Sequence, residues 1–158
     1  MRYNLAMAFN RQLAEARLAL DFVLSDQMPS LTWDALESGL DGPAIRRRAA
    51  WEHPTVFEVM EILPKAMEEM QLVRLSVDRA ARRLADHRAR EILRTGEDPL
   101  RSTREFELMW IRAGYPVEAQ EFGTLDDDLS VARLSGRTEQ EIRQWLIERL
   151  NELTSRAS

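Results

Sequence analysis

The stretch ARRLADHRAR, Ala81–Arg90, sets a histidine among arginines. An imidazole titrates near neutrality and can take a proton from an attacking hydroxyl. A guanidinium offers a planar fork that grips a phosphate. His87 stands five residues after Arg82 and four after Arg83, so these three are the candidate catalytic groups of the chain. The other histidine, His53, lies in WEHP. It precedes Pro54, which biases it to an extended turn.

The segment RRLADH resembles the Arg-x4-His signature of the HEPN ribonucleases, a family of small all-helical proteins. The resemblance covers six residues. It implies metal-independent RNA cleavage with His87 as general base and Arg82, or Arg83, on the phosphate. Helix geometry opposes it, because residues five apart on one helix diverge by about 140°. The 21 arginines (22 basic residues less Lys65) also place an arginine near either histidine by chance. The expectation is therefore a packed His87 and no catalytic site.

Other chemistries are thinner. Glu52, His53 and His87 could ligate a metal, but helical di-metal centres use paired Glu-x-x-His steps, and the chain has none. Glu58 with Glu61, and Glu118 with Glu121, each put two carboxylates on one helix face, which suits a hydrated magnesium ion. All-α nucleotide pyrophosphatases add a Glu-x-x-Asp, which is missing here. No metal and no cofactor is expected. DLSVARLSGRTEQEIRQWL has the small–glycine–apolar spacing of a helix-turn-helix over 128–146, through Ala132, Gly136 and Ile142. Its reading helix would open on Glu139 and Glu141, which repel phosphate, and only Arg143 and Gln144 could reach bases.

The elements that must position these residues read as helices throughout. Apolar residues from Leu5 to Val23 recur by threes and fours and predict a helix over about 3–24. Pro43 suits a first helical position. Thr55 with Glu58, and Thr138 with Glu141, are capping boxes. Ala66, Met70, Val73, Val77, Ala80, Leu84 and His87 advance by 4, 3, 4, 3, 4, 3. That heptad pattern predicts one long helix over about 64–94, roughly 45 Å of rod. Asp98 with Pro99 starts another helix and Gly114 ends it; Thr124 caps the next and Gly136 ends that. The expected fold is all-α: a single-domain bundle, 1–158, of about six or seven helices around the long one, with a frayed tail at about 154–158.

Composition narrows the function. The chain has 158 residues, 44% hydrophobic and 31% charged, with a net charge of −5 and no cysteine. That excludes thiol chemistry and disulfides and gives no general pull toward nucleic acid or an anionic membrane. No apolar run reaches the roughly 18 residues of a membrane span, and the charged start is unlike a secretion signal, so a cytoplasmic location is expected. Nine arginines face five acids between Arg74 and Arg104; a solvated, ion-paired face is the expected role. The expected function is non-enzymatic: binding a protein partner, or a second copy in a homodimer, through Met70, Val73, Val77 and Leu84. Trp33 and Trp51 sit in short segments and are further interface candidates.

Overall fold

The computed structural model describes residues 9–23 and 25–156. It is all-α, with nine α-helices and no strand among the described residues. The count exceeds the expected six or seven, in part because the long rod is two helices. No helix among the described residues is long and apolar enough to cross a membrane. Contacts along the chain divide it into two compact units, Met1–Leu75 and Ser76–Ser158.

The first unit holds α1 (Arg11–Ala19), α2 (Met28–Glu37), α3 (Pro43–Ala49) and α4 (Val56–Glu69). The Asn10 side chain accepts from Leu13 N and starts α1, which ends at Ala19 where Asp21 turns to φ 54°. The helix expected over 3–24 is thus shorter at its C-terminal end, and residues 3–8 lie outside the described residues. Pro43 occupies the first turn of α3, and α2 packs on α3 and α3 on α4. Glu69 closes this arrangement: its carboxylate accepts from Ile45 N at 2.9 Å, serving the free N–H groups of α3. The core comprises Ala35, Ala44, Ile45, Ala66 and Met70, with Phe9, Ile62 and Leu72 against it.

The helix expected over 64–94 is broken between Met70 and Ser76. Pro64 lies inside α4, and the chain leaves the helix at Gln71, which adopts φ 57°. Gln71 N donates to Glu68 O at 3.0 Å and Leu72 N to Met67 O at 2.8 Å. These are the two bonds of a left-handed helix terminus, satisfying carbonyls that a continuing helix would have used. The extended strand of chain that follows is tied down by the buried Glu15, whose Oε1 accepts from Val73 N at 3.0 Å. Ser76 then caps a new helix.

The second unit holds α5 (Val77–Thr95), α6 (Thr103–Arg112), α7 (Gln120–Gly123), α8 (Leu125–Leu134) and α9 (Glu139–Ser155). Its core joins Ile92 of α5, Phe106 of α6, Phe122 of α7 and Leu125 of α8 to Ile142, Leu146, Leu150 and Leu153 of α9. Phe106 and Phe122 stack with centroids 5.4 Å apart. Gly96 and Gly136, at φ 72° and 78°, end α5 and the α8 corner as expected. Both capping boxes form. Asp98 caps a 3-10 turn, Pro99–Arg101, and α6 starts only at Thr103. Thr124 does not cap α8: its hydroxyl donates back to Gln120 O at 3.2 Å. Of the tail expected to fray over 154–158, the chain is helical through Ser155, with Thr154 buried and its hydroxyl bonded to Leu150 O, and residues 157–158 lie outside the described residues.

Candidate functional site

Arg82 and His87 both lie on α5, which runs unbroken between them. The helical turn puts them on opposite margins of the face formed by Ala81, Leu84, Ala85 and Ile92. His87 is half-buried there rather than swallowed by the core. The Arg82 guanidinium is occupied. Its Nη2 donates to Leu153 O at 2.6 Å, its Nη1 to Glu118 O at 3.4 Å, and it lies 5.0 Å from the Phe122 ring centroid. Arg90 repeats the arrangement, donating to Thr154 O at 2.5 Å and to Asp86 at 2.7 Å. Both arginines thus serve the carbonyls at the negative end of α9. Arg83 is engaged as well and is not a free phosphate clamp.

Arg88 is the hub of the arginine face. It reaches Glu91 at 3.1 Å, Glu97 at 2.8 Å and Glu105 at 3.0 Å. Its pKa rises above the ordinary arginine value, through hydrogen bonds to Glu97 first and Glu105 second, and the Glu97 carboxyl falls below its ordinary value for the same reason. The face therefore works inward, locking α5 to the chain that enters α6.

The α8–α9 corner has the expected helix–turn–helix outline, but its two polar readers are engaged. Arg143 grips Asp98 with two bonds, 3.0 and 3.2 Å, which lowers the Asp98 pKa. Gln144 donates to Glu148 at 2.9 Å. His53 is exposed, and no group of three potential metal ligands comes together among the described residues. Glu58 is held by its cap at Thr55, which lowers its pKa, and Glu121 accepts from Arg149 and Arg156. Neither Glu-x-x-Glu pair presents two open carboxylates.

Met70 is buried in the first unit and Leu84 in the second, while Val73 and Val77 are exposed on either side of the break. Trp33 is exposed, its indole N–H donating to Glu37 at 3.0 Å. Trp51 is half-buried, with the Arg48 guanidinium 4.8 Å from its ring centroid. Arg48 itself is 0% exposed. Its Nη2 donates to Glu58 O at 3.2 Å and to Val59 O, whereas Nε and Nη1 have no partner among the described residues. Burial pushes its pKa down to about 10, so the group stays charged at neutral pH.

A more open feature lies on α4. This helix carries two apolar seams. Ile62, Ala66 and Met70 form one, turned into the core of the first unit, while Val59 is buried and also lines the groove of the second seam. Val56, Met60, Leu63 and Met67 form the other, spaced 4, 3, 4. That second seam lines two adjoining grooves of about 580 and 280 Å³, which share Leu18, Asp21, Met60 and Leu63. Leu18, Val23 and Met28 also line the larger groove. Val56, Phe57 and Met60 are 67%, 79% and 62% exposed. Sequence reasoning missed these residues because it cut the pattern at Pro64. The signal was present: TVFEVMEILPKAM opens on a capping box and supplies more apolar positions than one core contact can cover. No protein family, no curated protein and no solved structure matches the chain.

Proposed function

We propose that this chain is a non-enzymatic, cytoplasmic helical protein that acts by docking another protein, and that the α4 groove is its docking surface. The observation that carries the reading is the second seam of α4, with Val56 and Met60 open to solvent and lining a groove, and the exposed Phe57 beside them. Exposed apolar patches cost solubility and are kept where a partner covers them. Met28, Met60 and Met67 line the two grooves, and methionine adapts its unbranched side chain to the shape that arrives. The ribonuclease and DNA-binding alternatives lose support because Arg82 and Arg143 are bound to groups of their own unit.

Affinity capture from cells with the full chain and with Met60→Lys tests the reading. Met60 is exposed, so the variant is expected to keep its helical circular dichroism and melting temperature. Proteins captured by the wild-type chain and lost with Met60→Lys support docking at the groove. An identical captured set from both chains overturns it.

A further inference from the structure

Independently of that docking reading, we infer that the chain carries a proteolytic processing site at the Arg74–Leu75 bond, cut by an arginine-specific serine protease. Arg74 stands where the first unit, Met1–Leu75, gives way to the second. Residues 72–76 are neither helix nor turn, and Ser76 is extended at φ −67° and ψ 155°. The Arg74 side chain is exposed and has no ion pair among the described residues. Among those residues no hydrogen bond holds the N–H of Arg74, Leu75 or Ser76. Val73 N, one position earlier, is held by Glu15 at 3.0 Å.

A serine protease reads its substrate as an extended strand paired through the backbone, with an arginine seated in a pocket that holds a carboxylate. A helix must unwind before it can be read, so helical arginines are cut only through local opening. Nicking therefore follows the burial and hydrogen bonding of the backbone. Among the described residues, every other Lys and Arg except Arg137 lies in a helix or a turn. Arg137 differs from Arg74 in two ways. Its open stretch is only residues 137–138, and the N–H of the bond to be cut, Thr138 N, donates to Glu141 at 2.8 Å in the capping box.

In the reaction the protease serine attacks the Arg74 carbonyl, and the peptide bond breaks as a proton passes to the Leu75 nitrogen. One water then hydrolyses the ester, leaving a carboxylate on Arg74 and an ammonium on Leu75. Neither core is opened. The first lies among residues before the bond, from Ala35 to Met70, and the second among residues after it, from Ala85 to Leu153. The cut thus severs the groove-bearing unit from its neighbour. It also sets the two new charges at the end of the smaller groove, which Arg74 and Leu75 line.

Limited digestion of the full, native chain with trypsin tests this, read by intact mass and by circular dichroism. The first internal products are expected to be residues 1–74 and 75–158, with the helical signal unchanged while they form. Arg74→Gln should slow internal cutting at least about tenfold, because what remains needs local unfolding. Arg74→Lys, which trypsin also accepts, should cut at the wild-type position. Arg74 is exposed, so both variants are expected to keep the wild-type melting temperature. A first internal cut elsewhere, Arg137 included, overturns the inference. So does an Arg74→Gln chain cut as fast as wild type, or a helical signal that falls in step with the fragments.

Discussion

Two buried positions show what single residues contribute to this chain. A Cβ on Gly123 would run into the indole ring of Trp110. That ring cannot easily give way, because its Nε1 donates to Pro116 O at 3.0 Å and it packs T-shaped against the Tyr115 ring, centroids 5.0 Å apart. Gly123→Ala should therefore overpack the second unit and cost about 1–3 kcal/mol, measured by urea denaturation. Arg48 poses the opposite case. Its stem fills space, but two of its nitrogens are buried without partners. Replacing a buried charge by an apolar side chain of similar length is often neutral, whereas truncation leaves a cavity. Arg48→Met should stay within about 1 kcal/mol of wild type, and Arg48→Ala should lose about 2–4 kcal/mol. Equal losses would show that the guanidinium, not its packing, holds α3 to α4.

At the level of elements, the break after α4 decides more than any helix does. Gln71 adopts φ 57°, which a side chain disfavours and glycine does not. Gln71→Gly should raise stability by up to about 1 kcal/mol. In an unbroken helix the same change would cost about 1 kcal/mol, so the sign of the shift in melting temperature reports the break directly. The 4–3 spacing through this segment continues across it and gave no warning. Met70 ends α4 and faces the first unit's core; Leu84, in register with it, faces the second unit's core. The local signals for the break were Ser76, whose hydroxyl accepts from Arg79 N, and Asp78 in the first turn of α5. The capping boxes at Thr55 and Thr138 were legible because all their partners lie within four residues.

For the whole molecule, the clearest expectation concerns its two units. The core of the second is drawn entirely from residues after Ser76. A fragment of residues 76–158 should therefore keep a cooperative thermal transition by circular dichroism, and a fragment without one would show that its core needs the first unit. The ion pairs give a dependence on pH. Asp98 and Glu97 are lowered by Arg143 and Arg88, and Glu58 and Glu141 by their caps. A carboxyl lowered on folding stabilises the protein above its unfolded pKa and stops doing so as pH falls through the folded one. Melting temperature should hold from neutrality down to about pH 5 and drop below about pH 4. Asp98→Asn and Glu97→Gln should flatten that drop.

The sequence alone determined that this chain is helical, where most of its turns fall, and that the last helix turns Ile142, Leu146, Leu150 and Leu153 inward. Those features rest on caps, glycines and apolar spacing, which act over one or two turns. Tertiary structure decided the rest. Arg82 and Arg90 read as a basic face until α9 brought its terminal carbonyls to them across more than sixty residues of chain. Val56, Met60, Leu63 and Met67 went unnoticed in the sequence, and only the packing showed that the other seam of α4 suffices for the core. Periodicity states that a side chain is apolar and which way it faces. Whether another element reaches that face depends on contacts between segments far apart in sequence.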